Sequence, residues 1–166
     1  MLPTMEGLIN EGSPYLGFLY AGLMIDGEDI KVLEFNCRFG DPETQPIMMR
    51  LQSDLSELCL SAVNGNLSEK SAQWTDQAAV GVVMAAGGYP FDYAKGDVIK
   101  GMSEAESTGA KVFQAGTSSN GSGETYTNGG RVICVTALGD DVLAAQKAAY
   151  QGIEKITWDN VYYRTD

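Results

Sequence analysis

Val32-Leu33-Glu34-Phe35-Asn36-Cys37-Arg38-Phe39-Gly40-Asp41-Pro42-Glu43 is the stretch on which the fold turns. Its first part reads as a strand, on which side chains alternate between faces. Leu33, Phe35, Cys37 and Phe39 then share one face. Glu34, Asn36 and Arg38 share the other, with neighbours roughly 7 Å apart. A carboxylate and an amide oxygen at that spacing suit one hard divalent cation such as Mg²⁺. An arginine one step further can clamp a phosphate or a carboxylate with paired hydrogen bonds. Such a set equips phosphoryl transfer. The same triplet taken alone also reads as a solvent-facing strand with an ordinary Glu/Arg pair.

Gly40-Asp41-Pro42-Glu43 is a sharp exit from the strand into a helix. Asp41 suits the N-cap, Pro42 the first helical position, and Glu43 the positive end of the helix dipole. The helix is expected from Pro42 onward, with Ile47, Met48, Leu51, Leu55, Leu58, Cys59, Ala62 and Val63 at the 3.6-residue period. Asn64-Gly65-Asn66 ends it. Upstream, residues 15–25 read as a buried strand, and Asp26-Gly27-Glu28-Asp29 as the hairpin turn that returns the chain into 30–39. Residues 1–12 carry no strong element signal.

Residues 64–77 are polar and mark a domain boundary, giving one piece over 1–75 and another over 76–166. In the second piece, strands are expected over 78–85 and 131–138, and short ones over 97–100, 111–115 and 124–127. Residues 117–123 read as a flexible hairpin loop. Asp140 or Asp141 caps a last helix whose apolar face is Leu143, Ala144, Ala148, Gly152 and Ile153. The fold class is α+β: an antiparallel sheet with a helix, then a small mixed β/α domain.

Composition removes several function classes. The 166 residues contain 11 Lys and Arg against 22 Asp and Glu, a formal charge of -11. That balance argues against a nucleic-acid or anionic-membrane partner. There is no histidine, so His-based triads, the usual zinc sites and the commonest general base are all absent. Cys37, Cys59 and Cys134 show no CxxC spacing, which fits a reducing cytoplasm better than a disulfide framework. The apolar run over 16–25 is too short to span a bilayer and follows acidic rather than basic residues.

Arg38-Phe39-Gly40-Asp41-Pro42-Glu43-Thr44-Gln45 resembles the signature of the phosphoribosylamine–glycine ligase (glycinamide ribonucleotide synthetase) family, within the ATP-grasp superfamily. Tyr20-Ala21-Gly22-Leu23-Met24 and Glu34-Phe35-Asn36-Cys37 precede it in the family's order, and Ser53-Asp54-Leu55 follows it. Gly88-Tyr89-Pro90, Lys95-Gly96, Lys111-Val112-Phe113, Ala115-Gly116-Thr117 and Asn128-Gly129-Gly130-Arg131-Val132 resemble the family's C-terminal domain. The resemblance implies that 1–75 is the C-terminal half of an ATP-grasp lobe and 76–166 the closing domain. It implies a ligase of de novo purine synthesis that joins glycine to 5-phosphoribosylamine with ATP, through glycyl phosphate. It implies Glu34 and Asn36 as ligands of Mg²⁺ or Mn²⁺, and Arg38 as the catalytic residue on the carboxylate or developing acyl phosphate. Gly40, Asp41, Glu43 and Arg131 become substrate-binding positions.

Family members are longer. They begin with a small α/β domain and a lysine-bearing nucleotide-grasping lobe, and this chain shows no GxxxxGK[ST] or Rossmann fingerprint in their place. The chain is therefore expected to be a fragment, inactive alone, with an apolar surface left open where the rest of the enzyme packs. Gln114 stands where many relatives have a histidine. Two other readings remain: another ATP-grasp ligase of the biotin-carboxylase type, and a non-catalytic binding module.

Overall fold

The computed structural model describes residues 1–166. It is mixed α and β, with antiparallel sheets, and divides into two compact units. One is Met1–Asp41 with Gln52–Trp74; the other is Pro42–Leu51 with Thr75–Asp166. No helix is long and apolar enough to cross a membrane.

In the first unit, α1 (Leu2–Asn10) precedes an antiparallel hairpin of β1 (Tyr20–Asp26) and β2 (Asp29–Asn36). The Asp26-Gly27-Glu28-Asp29 turn closes it, with Gly27 at φ 60. Neither strand is buried, contrary to the expectation for 15–25. Leu23 is 47% exposed, Ile25 64%, Ile30 64% and Leu33 64%. A two-stranded ribbon has two faces, and nothing within this unit covers them. Every buried apolar side chain lies in the second unit.

The expected single helix from Pro42 to Val63 is two helices, α2 (Thr44–Arg50) and α3 (Leu55–Val63). Glu43, not Asp41, occupies the N-cap of α2. Pro46 supplies the reason. A helix begun at Pro42 would carry Pro46 in its interior, without an N–H and with its ring against the carbonyl four residues back. Beginning at Thr44 puts Pro46 in the first turn, where the missing N–H has no partner to lose. The break before α3 is made by side chains that bond locally instead of continuing the helix. Asp54 Oδ1 accepts from the backbone N–H of Ser56 at 2.7 Å and of Glu57 at 3.3 Å. Ser53 Oγ accepts from Gln73 N–H at 2.7 Å.

The second unit is built on a three-stranded sheet in the order β3-β7-β4, from β3 (Ala78–Ala85), β4 (Lys111–Gln114) and β7 (Arg131–Gly139). A small ribbon of β5 (Thr117–Ser119) and β6 (Thr125–Thr127) replaces part of the loop expected over 117–123. Residues 97–100 form only isolated bridges, Val98 to Tyr126 and Lys100 to Thr157, rather than a strand. A short helix, α4 (Met102–Glu106), precedes β4. The last helix, α5 (Val142–Ile153), is capped by Asp141, whose Oδ1 accepts from Ala144 N–H at 2.7 Å. It buries Ala145, Ala149, Gly152 and Ile153 against Met84, Val132, Ile133 and Val135.

The face of α5 is thus rotated from the expected one. Leu143 is 57% exposed, and small residues face the sheet. Close approach explains the choice. A Cβ on Gly152 would stand 2.9 Å from Ala110 Cβ and 3.0 Å from Val135 Cγ1.

Candidate functional site

The alternation of β2 places Glu34 and Asn36 on one side of the ribbon. Gly22 lies opposite Glu34, and a Cβ there would come within 3.2 Å of Glu34 Cγ. The absent side chain gives the carboxylate room. Asn36 Nδ2 donates to Glu34 Oε1 at 2.8 Å, and Arg38 Nη2 donates to Asn36 Oδ1 at 3.3 Å. Arg38 Nη1 also donates to the Phe39 carbonyl at 2.8 Å. The three polar side chains therefore form one hydrogen-bonded row. Phe39 stacks on Phe18 with ring centroids 4.0 Å apart.

The row continues into a turn over 41–43 that leads to α2. Gly40 is buried, and Asp41 is exposed. Glu43 accepts from Ile47 N–H at 3.2 Å through its carbonyl, so its backbone starts the helix. Cys37 is exposed beside Tyr15. The Tyr15 hydroxyl is pushed up by desolvation first and by the Cys37 thiol second.

The donor set of the row is oxygen only: both carboxylate oxygens of Glu34 and the amide oxygen of Asn36. No group of three or more His, Cys, Asp or Glu converges on a metal position. The chemistry fits a hard divalent cation that keeps several ligands from water and phosphate, as Mg²⁺ does. It does not fit zinc.

Arg131 stands in the second unit, at the start of β7. Its backbone is fixed on both sides. Gly116 N–H donates to the Arg131 carbonyl at 3.1 Å, and Ala86 N–H to the Gly130 carbonyl at 2.8 Å. Gly130 has to be glycine, because a Cβ would lie 2.1 Å from Cδ2 of Tyr89. Arg131 lines a groove of about 450 Å³ along β3, together with Tyr89, Gln146, Tyr150, Tyr162 and Arg164.

Sequence reasoning picks Arg131 from this groove and misses the aromatic residues. Tyr162 is 60% exposed. It meets Ala85 in a backbone bridge, accepting from Ala85 N–H at 2.8 Å. Gly88-Tyr89-Pro90 carries the one usable signal, a turn that sets an aromatic ring beside the Gly129-Gly130 turn.

Two family models match the chain. Phosphoribosylglycinamide synthetase, ATP-grasp (A) domain, matches residues 1–44, and Phosphoribosylglycinamide synthetase, C domain, matches residues 79–166. Among curated proteins, the phosphoribosylamine–glycine ligase of Allochromatium vinosum is 59% identical over 167 residues, covering 100% of this chain and 39% of the relative. The Escherichia coli K12 protein of the same name is 58% identical over 165 residues, covering 99% and 38%. A crystal structure of the Thermotoga maritima phosphoribosylamine–glycine ligase superposes with a TM-score of 0.79 at 34% identity, over 96% of this chain and 39% of that one. The chain thus spans about 39% of the length of the relatives it matches.

Proposed function

The chain belongs to the phosphoribosylglycinamide synthetase family, and from that premise we propose that it carries part of the working centre of an ATP-dependent ligase. The reaction joins glycine to 5-phosphoribosylamine and gives glycinamide ribonucleotide, ADP and phosphate, a step of purine biosynthesis. Residues 1–75 are the C-terminal part of its ATP-grasp domain, and 76–166 are its closing domain. The observation that carries the reading is the hydrogen-bonded row Glu34-Asn36-Arg38, leading directly into Gly40-Asp41-Pro42-Glu43.

The course follows from the charges. A carboxylate oxygen of glycine attacks the γ-phosphorus of ATP, the bond to the β-phosphate oxygen breaks, and ADP leaves. The amine of 5-phosphoribosylamine then attacks the acyl carbon of glycyl phosphate. An amide forms, phosphate leaves with the oxygen that came from glycine, and the amine gives up a proton. Arg38 holds the glycine carboxylate and, later, the acyl phosphate with its guanidinium fork. Asn36 keeps Arg38 oriented through its amide oxygen. Glu34 and Asn36 would hold the divalent cation, Mg²⁺ or Mn²⁺, which neutralises phosphate charge when bound. Gly40, Asp41 and Glu43 shape the substrate side, and Arg131 contributes a cation for the anionic substrate. Positioning and charge neutralisation dominate phosphoryl transfer, so the lack of histidine is no obstacle.

The substrates are small soluble metabolites, and three free cysteines suit a reducing cytoplasm. The isolated chain turns over no ATP, because the lobe that grips the nucleotide belongs to the rest of the enzyme. Glycine labelled with ¹⁸O in its carboxylate tests the reaction in the complete enzyme. One labelled oxygen is expected in the released phosphate and the other in the new amide. Unlabelled phosphate would rule out the acyl phosphate route.

A further inference from the structure

Arg131 is preceded by two glycines, Gly129 and Gly130, in the turn that opens β7. Two successive glycines give the backbone its widest freedom. The direction of Arg131 therefore depends on what grips the turn from outside. One grip is backbone. Asn128 N–H donates to the Gly116 carbonyl at 2.7 Å, and Gly116 N–H donates to the Arg131 carbonyl at 3.1 Å. A Cβ on Gly129 would stand 2.8 Å from Gly116 Cα. The two segments thus touch with no side chain between them.

The other grip is an aromatic ring. A Cβ on Gly130 would lie 2.1, 2.6 and 3.1 Å from Cδ2, Cε2 and Cγ of Tyr89. All three distances are shorter than carbon atoms tolerate, so the ring fills the place that a side chain at 130 would take. Tyr89 is itself fixed at its root. Its N–H donates to the Ala86 carbonyl at 3.1 Å, and Ala86 N–H donates to the Gly130 carbonyl at 2.8 Å. Its ring meets Tyr93 edge-on with centroids 6.1 Å apart, and Tyr93 packs against the core. Ring contact and hydrogen bonds thus close a small circuit around Gly130. All of these residues lie in the second unit, as Arg131 does. Tyr89 is 40% exposed and lines the same groove as Arg131.

We propose that Tyr89 is a positioning residue for the binding of 5-phosphoribosylamine: its ring braces Gly130 and thereby aims the guanidinium of Arg131 in the groove. The proposal rests on reading Arg131 as a cation for that anionic substrate. The length of the arginine side chain turns a small rotation at Gly130 into a larger displacement of the guanidinium. Paired hydrogen bonds to a phosphate tolerate little misalignment. Tyr89 acts through Arg131, so its loss weakens the hold on 5-phosphoribosylamine and leaves glycine and ATP unaffected.

The test measures kcat and the KM of each substrate in the complete enzyme containing this chain. The variants are Tyr89→Phe, Tyr89→Ala, Gly130→Ala, Arg131→Ala and the double variant Tyr89→Ala/Arg131→Ala. Tyr89→Ala removes the brace, and Gly130→Ala pushes it aside. Each should raise KM for 5-phosphoribosylamine about 10-fold, with KM for glycine unchanged. Tyr89→Phe keeps the ring and should behave as the unsubstituted enzyme. Arg131→Ala should raise the same KM by about 10–100-fold. The double variant should be no worse than Arg131→Ala, because the brace then has nothing to aim. A merely structural role at 89 would instead move the KM values of all substrates together. That result overturns the proposal, as does an additive loss in the double variant or an unchanged KM in Tyr89→Ala. Where Tyr89→Ala does not fold, Tyr89→Leu with and without Arg131→Ala gives the same decision. An unchanged KM for 5-phosphoribosylamine in Arg131→Ala removes the reading of Arg131 and the proposal with it. That outcome is distinct from an enzyme that depends on Arg131 and is indifferent to Tyr89.

Discussion

Asn36 donates from Nδ2 to Glu34 Oε1 across 2.8 Å, one pleat back along β2. The same amide accepts from Arg38 through its oxygen at 3.3 Å. One neutral side chain thus spaces an anion and a cation that would otherwise be free to collapse onto each other. Asn36→Ala in the complete enzyme is expected to lower ADP formation by about 10–100-fold and to raise the divalent-cation concentration needed for half-maximal rate. A metal titration of the initial rate measures both. A variant with an unchanged metal requirement would remove Asn36 from the proposed ligand set.

Gly101 is the most constrained glycine of the second unit. It has φ 85, and a Cβ would lie 1.7 Å from the Lys155 carbonyl oxygen, a backbone atom that cannot rotate aside. Gly101→Ala should destabilise by about 2–3 kcal/mol, combining left-handed strain with overpacking. Gly109 has φ 95 with nothing within 4 Å of its Cβ position, so Gly109→Ala should cost only the strain, about 1 kcal/mol. Urea unfolding of the two variants side by side checks the difference. Equal losses would show that the Lys155 contact is relieved by backbone movement.

Asp54 caps a helix that buries only Ser61, whereas Asp141 caps one held against the sheet. Removing either cap costs about 1 kcal/mol. The consequences should differ. Asp54→Ala is expected to speed hydrogen exchange at the first amides of α3 selectively, because few packing contacts hold that turn. Asp141→Ala should lower the unfolding midpoint while leaving exchange within α5 well protected. Exchange mass spectrometry distinguishes the two patterns.

Tyr126 Oη donates to Glu124 Oε2 at 2.7 Å, and Asn120 Nδ2 donates to Tyr126 Oη at 2.8 Å. The Tyr126 hydroxyl holds the Glu124 carboxyl below its ordinary range, with Asn120 and Ser122 adding to it. In return the bond to Glu124 pushes the Tyr126 hydroxyl up, with desolvation second. A depressed carboxyl stabilises the fold above its unfolded pKa, and this is lost as pH falls through the folded value. A raised phenol stabilises it below its unfolded pKa, and this is lost as pH rises through the folded value. Neutral pH keeps both contributions. Glu124→Gln should return Tyr126 toward its ordinary value, read from its ring carbon shifts in an NMR titration. An unmoved titration would show that the carboxylate is not the cause.

Period-two alternation is enough to put Glu34 and Asn36 on one face of the strand. The strand expected over 30–39 ends at Asn36, however, and Arg38 joins the row from the bend that follows, through its hydrogen bond to Asn36. The hairpin turn is equally legible from Asp26-Gly27. Burial is not. The apolar run ending at Ile25 has the composition of a core strand, and yet its side chains are exposed, since burial depends on what packs against a ribbon. The start of α2 was open to inspection in Pro46, a proline that a helix beginning at Pro42 cannot carry. Residues 1–12 carry no strong element signal and yet contain α1, with Pro3 in its first turn and no side-chain cap at Met1. The face of α5 escapes a reading by hydrophobicity because Ala145, Ala149 and Gly152 are chosen for closeness rather than for apolar area. The groove beside Arg131 depends on Tyr89 and Tyr162, brought together from distant parts of the chain by pairing that no local pattern encodes.

The most direct measurement is ADP formation by the complete enzyme carrying Glu34→Ala, assayed with and without glycine and 5-phosphoribosylamine. The account predicts that the unsubstituted enzyme forms ADP only when both are present. It also predicts that the variant, still folded, loses that activity by about 1,000-fold or more, as expected when a group that neutralises transition-state charge is removed. Near-normal turnover by the variant would contradict the assignment of this strand as the reacting centre.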